Sequence, residues 1–255
     1  MMRLFETMLF LPEGTRSVSS FGSILHGALM ERLPKDLATR LHEQDMRPYS
    51  QGVFWDKAAG AARWRIGIVE EETGEAIEAA LCRGGEIFLR QKGCAVRLGE
   101  LRLLQQSDFS EIADAFFLPE APPKGAEISF LAPTSFKREG RYVMLPDFFL
   151  ICQSLLLRWN RFSERIRLEE PALAEKLADA CCLSQYALRS APFSVEAHTI
   201  RGFQGDMRVR FFGTDAVRRI LGMLFAFAPF VGVGIKTALG MGTVRTEVRG
   251  NESGQ

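Results

Sequence analysis

Gly52-Val-Phe-Trp55-Asp56-Lys57-Ala-Ala-Gly60-Ala-Ala62-Arg63-Trp64-Arg65-Ile66-Gly67-Ile68-Val69 reads as two strands folded about a short polar turn. In the second strand Trp64, Ile66 and Ile68 share one face, and Arg63 and Arg65 fall on the other. The surroundings then decide what kind of sheet this hairpin belongs to. Upstream, residues 20–33 and 35–44 carry apolar side chains at three- and four-residue spacing (Ile24, Leu25, Ala28, Leu29; Leu37, Ala38, Leu41) and are separated by Pro34, which predicts two short helices. Before them, the apolar stretch 3–11 ends at Pro12-Glu13-Gly14 and reads as a central strand. Downstream, residues 75–82 read as a helix stopped by Gly84-Gly85, and residues 86–104 as one or two further strands.

That order is βαββαβ, the ferredoxin-like arrangement. It recurs after the proline-rich linker Leu118-Pro119-Glu120-Ala121-Pro122-Pro123-Lys124-Gly125. Residues 127–131 read as a strand, 147–168 and 173–188 as helices, 195–203 and 207–212 as a hairpin about Gln204-Gly205-Asp206, 215–227 as a helix and 242–248 as a last strand. The expectation is an α+β protein of two tandem ferredoxin-like domains, residues 1–117 and 125–250, with an extended helical region in the second. Such a fold hosts many activities, so function must come from particular residues.

A chain of 255 residues, 47% hydrophobic, can bury two cores, and its net charge of only +1 requires any nucleic-acid surface to be local. The distribution is uneven: residues 197–249 hold eight Arg or Lys against Asp206, Asp215 and Glu247, whereas acids gather at Glu70-Glu71-Glu72. The five cysteines form no Cys-x-x-Cys pair, which argues against structural zinc and for reduced thiols in a cytoplasm. Glu6 inside the N-terminal apolar stretch is unlike a signal peptide, and glycines and Pro229 interrupt the longest apolar run, residues 220–235. A cytoplasmic protein with no membrane segment and no metal or other cofactor is expected.

Near the C-terminus, Gly232-Val-Gly234-Ile-Lys236-Thr237-Ala-Leu-Gly240-Met-Gly242 would let backbone N–H groups approach a phosphate chain. It is neither a Walker loop, which needs Gly where Ile235 stands, nor a dinucleotide fingerprint, which needs Gly at Thr237. A glycine loop that leaves a helix and enters a final strand suggests a polynucleotide backbone as ligand; a tight packing turn is the simpler alternative.

Two of the three histidines, His26 and His42, fall in the first helical pair, sixteen residues apart across Pro34, and Arg47 follows before Pro48-Tyr49-Ser50. Antiparallel helices would bring the two imidazoles together. The segments 22–29 and 34–43, the basic residue before Pro48-Tyr49-Ser50, and Phe54 resemble the start of the CRISPR-associated precursor-crRNA-processing endoribonucleases, the Cas-six family of RAMP proteins. Gly202-Phe-Gln-Gly205 and the glycine loop resemble that family's C-terminal signature.

The resemblance implies metal-independent cleavage of CRISPR repeat RNA: the ribose 2′-OH attacks the adjacent phosphate, leaving a 2′,3′-cyclic phosphate and a 5′-OH. It places His42 where members often carry a catalytic histidine, His26 where some carry tyrosine and Arg47 where some carry lysine. An imidazole can exchange a proton near neutrality, whereas a guanidinium is left to stabilise phosphorane charge. Expected RNA contacts are the loop residues Gly232, Gly234, Lys236, Thr237, Gly240 and Gly242, together with Arg63, Arg65, Lys137, Arg138, Arg158, Arg161, Arg201, Arg208 and Arg210. Phe21, Tyr49 and Trp55 are candidates to stack on bases, with core packing the expectation for Trp55; His198 reads as an ordinary surface histidine. Expected partners are CRISPR repeat RNA or crRNA and other subunits of a multisubunit class 1 effector. The chief alternative is a non-catalytic RAMP subunit, which would not need His26, His42 and Arg47; a ferredoxin-like metabolic enzyme has no supporting motif.

Overall fold

The computed structural model describes residues 1–11, 21–82, 85–195 and 198–250; the expected Pro12-Glu13-Gly14 turn, Ser20 and Gly84 lie outside them. The chain begins with β1 (Met2–Phe10), α1 (Phe21–Met30), α2 (Lys35–Glu43), β2 (Tyr49–Asp56), β3 (Ala61–Ile68) and α3 (Glu71–Cys82). β1 pairs antiparallel with β3, and β3 with β2 at the register Tyr49↔Ile68 to Asp56↔Ala61, so the hairpin stands where the sequence put it. Residues 86–104, expected to give one or two strands, instead supply a hairpin of β4 (Glu86–Leu89) and β5 (Cys94–Leu98) and lead into β6 (Arg102–Ser107). It is β6 that pairs with Met2 to Glu6 of β1 and completes the ferredoxin-like order β6-β1-β3-β2.

α4 (Phe109–Phe117) has no counterpart among the sequence expectations, although Asp108 and Glu111 form a reciprocal capping box at its start. Its buried Ile112 and Ala113 pack into the core of the second half. That half then runs β7 (Gly125–Thr134), a short hairpin of β8 (Phe136–Arg138) and β9 (Arg141–Val143), α5 (Phe148–Phe162), α6 (Leu173–Asp179), β10 (Cys181–Val195), β11 (His198–Phe211), α7 (Asp215–Val231) and β12 (Val244–Arg249). Its sheet order is β10-β11-β7-β12, the same ferredoxin-like order as the first.

Three local expectations fail here. The helix expected over 147–168 ends at Phe162, and the Asn160 amide holds the following chain back by bonding both backbone groups of Leu168. The helix expected over 173–188 ends at Asp179, and residues from Cys181 onward are a strand, because fourteen-residue β11 offers a partner along the whole length of β10. Nor does Gln204-Gly205-Asp206 turn the chain. It is a bulge inside β11, where the register against β7 shifts between Phe203 and Gly205 and Gly205 takes φ 130°, and the two strands meet instead at Val195↔His198.

α7 lies between the two sheets. Its Phe225, Phe227 and Phe230 share one core with Met2 and Leu4 of β1, while the neighbouring Phe5 and Leu9 face the core under α1 and α3. β1 is therefore apolar on both faces because both are covered. The proline-rich linker is held on α7: Arg218 donates to the carbonyls of Pro122 and Pro123, and Arg219 to those of Phe116, Pro119 and Glu120. Two of the eight basic residues of the C-terminal segment are thus spent on the fold. Among the described residues no helix is long and apolar enough to cross a membrane.

Candidate active site

α1 buries Phe21, Ile24, Leu25, Ala28 and Leu29 and leaves His26 on the opposite, half-buried side. There the His26 Nδ1 lies 2.8 Å from the Tyr49 Oη, with the two rings stacked at 15°. Tyr49 is itself buried, at the first position of β2, and its hydroxyl also donates to Met30 Sδ at 4.0 Å. α2 is fixed at its C-terminal turn. Arg40 makes a forked pair to Glu70 at 3.0 and 2.9 Å and a bond to Glu72 at 2.9 Å, which gives the acidic run a structural task. At its C-terminus Arg47 Nε donates to Leu41 O at 2.7 Å and Nη2 to His42 O at 3.5 Å, a favourable place for a cation.

The arrangement brings the three expected catalytic groups into one electrostatic unit. Burial, then the charge of Arg47, then that of His42 push the His26 imidazole down from the ordinary 6.5 to about 4, so it is neutral at pH 7. His42 is exposed and Arg47 half-buried. One neutral imidazole, one solvent-facing imidazole and one fixed guanidinium provide for proton transfer and for stabilising a developing negative charge. Among the described residues no group of three or more His, Cys, Asp or Glu side chains could hold a metal ion.

The glycine loop packs on the first turn of α1 from the other half. Gly240 has φ 115°, and a Cβ there would stand 2.7 Å from the Gly22 Cα, so the loop backbone rests directly on the first turn of α1. The N–H groups of Gly232, Val233, Gly234, Ile235, Leu239, Met241 and Gly242 all donate within the protein. Lys236, Thr237, Ala238 and Gly240 remain, the first three at the start of a 3-10 turn over Thr237–Leu239, with the Lys236 side chain exposed and those of Thr237 and Ala238 buried. Sequence reasoning did not find Gln51, the buried side chain that ties the two halves. It donates to Gly22 O at 2.8 Å and Ala238 O at 3.0 Å, and accepts from Trp64 Nε1 at 2.8 Å. A polar residue alternating into an otherwise apolar strand beside Tyr49 was the available signal.

The expected phosphate contacts divide into two groups. Arg63 and Arg65 are paired with Glu6 and, for Arg63, Asp56; Arg65 also lies over the Phe54 ring. Arg208 joins Arg249 on Glu127, and Arg158 Nη2 donates to Gly234 O, bracing the glycine loop from α5. By contrast Lys137, Arg138, Arg161, Arg201 and Arg210 are exposed, with Arg138 and Arg210 near the rings of Phe149 and Phe212. Of the proposed base-stacking aromatics, Phe21 and Tyr49 are buried. Trp55, expected in the core, is 53% exposed, because it lies next to the hairpin turn on the edge strand β2. His198 is exposed, as an ordinary surface histidine would be.

A model of the CRISPR-associated endoribonuclease Cas6 family matches residues 128–244. The CRISPR-associated endoribonuclease Cas6 of Mycobacterium tuberculosis is 31% identical over 233 residues, covering 90% of this chain and 73% of that protein. The Cas6 of Streptococcus thermophilus is 30% identical over 226 residues, covering 88% of this chain and 90% of the other. The chain belongs to the Cas6 family. A solved product complex of Thermus thermophilus Cas6 has the same fold, with a TM-score of 0.76 at 24% identity over 97% of this chain and 100% of that one. The Cas6 assignment rests on both halves, since the family model lies in the second and the relatives align over 90% and 88% of the chain.

Proposed function

We propose that this chain cuts CRISPR repeat RNA to release crRNA, without a metal ion, by attack of a ribose 2′-OH on the neighbouring phosphate. The products would carry a 2′,3′-cyclic phosphate and a 5′-OH. The observation that carries this reading is His26 held at 2.8 Å by Tyr49 in the neighbourhood of Arg47 and His42. Tyr49 holds the Nδ1 side of the ring, and we assign the tautomer in which Nδ1–H donates to the Tyr49 hydroxyl and the Nε2 lone pair is open to receive the 2′-OH proton. A bound phosphate offsets Arg47 and His42 and raises the basicity of His26 where it is needed. His42 donates a proton to the leaving 5′ oxygen, and Arg47 stabilises the charge on the phosphorane.

The RNA track we assign runs over the Lys236–Ala238 tip of the glycine loop and the exposed Lys137, Arg138, Arg161, Arg201 and Arg210. The product stays bound, in a cytoplasmic class 1 effector. Single-turnover assays on repeat RNA test the assignment. His42→Ala and His26→Ala each lower the cleavage rate by about 10²–10⁴-fold with affinity retained, and His198→Ala does not. Near-normal cleavage by a His26→Ala/His42→Ala double variant contradicts it, and binding without any cleavage by the wild type points to a crRNA-holding RAMP subunit.

A further inference from the structure

Beside the proposed active site a cleft of about 180 Å³ opens between the two halves of the chain. Its lining includes Met46, the residue immediately before Arg47, and Ile235, the residue before the exposed Lys236. α5 contributes Gln153, Leu157 and Arg158, and β8 contributes Lys137. We propose that this cleft takes the base of a single nucleotide flanking the cleaved phosphate and so reads one position of the repeat; the inference rests on the RNA-cleaving function proposed above.

The size is the first argument, since clefts that take drug-sized ligands measure ~300–1,000 Å³ and this one holds a single planar ring group. The chemistry of the walls is the second. Met46, Ile235 and Leu157 give apolar surface for a base face, and Leu157 is 56% exposed and so accessible to it. The Gln153 side chain makes no hydrogen bond to any described residue, and its amide offers both a donor and an acceptor to a base edge.

Electrostatics is the third argument. Lys137 is exposed at the mouth, and the Arg158 guanidinium behind it keeps its charge at pH 7 although burial lowers its pKa to about 10. Both favour the backbone phosphate of that nucleotide. The walls are also fixed beforehand: Arg158 donates to Gly234 O at 2.9 Å, and Ser154 Oγ accepts from Gly234 N–H at 3.0 Å, so the cleft does not have to be built on binding.

The test is abasic scanning of repeat RNA carrying a 2′-deoxy sugar at the cut, with dissociation constants measured for wild type, Gln153→Ala and Leu157→Ala, all first shown folded by thermal melt. The expected result is one abasic position near the cut that weakens wild-type binding on the order of ten-fold, a usual size for one stacked base. Each variant loses a similar factor on intact RNA and loses nothing further from that abasic substitution. Abasic penalties that are the same in the variants as in wild type, or a loss spread evenly over all positions, overturn the inference while leaving cleavage of the unmodified repeat intact. A wild-type protein that neither binds nor cuts repeat RNA overturns the functional reading and this inference together.

Discussion

The Tyr49 hydroxyl holds the His26 ring at 2.8 Å from inside the protein, so the residue at the start of β2 orients a group carried by α1. Tyr49→Phe keeps the packing and removes that bond. We expect a loss of about 1 kcal/mol in stability, the usual net value of one hydrogen bond, and a fall of roughly ten-fold in single-turnover cleavage with little change in RNA affinity. Nitrogen NMR of the imidazole gives the independent reading. Wild type shows the Nδ1–H tautomer, and Tyr49→Phe shows a mixture. Unchanged tautomer and unchanged rate would remove Tyr49 from the site.

Because His26 has a lower pKa in the folded protein, about 4 against 6.5, the unfolded chain binds the extra proton between these values. Stability from this group is therefore complete above pH 6.5 and is lost as pH falls through about 4, a loss of about 3 kcal/mol from the size of the shift. Chemical denaturation of wild type and His26→Gln between pH 7.5 and 4 measures it. The wild type is expected to lose stability more steeply than the variant, and parallel curves would show that His26 is not held neutral.

Much of the architecture was legible because hydrophobic alternation in Trp64, Ile66 and Ile68, helical spacing in α1 and α2, and the recurrence of βαββαβ all pointed the same way. What was not legible depended on distant partners. Cys181 to Leu188 has no strong strand pattern of its own and becomes a strand because β11 runs beside it, and Gly205 looked like a turn because a bulge and a turn ask for the same backbone freedom. α4 is a different case: its capping box and the spacing of Phe109, Ile112, Ala113 and Phe116 were present in the sequence and passed over. For the site, residue types identified His26, His42 and Arg47, but only geometry shows that Arg63, Arg65 and Arg158 are already committed to Glu6, Asp56 and Gly234 O. A count of basic residues cannot distinguish a paired arginine from a free one.

The glycine loop separates in the same way into packing and binding. Gly240→Ala puts a methyl group against the Gly22 backbone at an unfavourable φ, and we expect a destabilisation of about 1–3 kcal/mol seen as a lowered Tm before any effect on RNA is considered. Lys236→Ala touches nothing buried. It is expected to leave the Tm unchanged and to lower the slope of log K against log salt by about 0.7, one phosphate contact on a single strand. A salt slope equal to wild type would place the RNA elsewhere.

The most direct test of the account is single-turnover cleavage of the cognate repeat RNA in EDTA, with analysis of the ends and a matched substrate carrying one 2′-deoxy sugar at the cut. The account predicts one cut, a 2′,3′-cyclic phosphate and a 5′-OH, full activity in EDTA, and no cleavage of the deoxy substrate despite normal binding. Cleavage of the deoxy substrate, or activity that vanishes with EDTA and returns with a divalent cation, would contradict it.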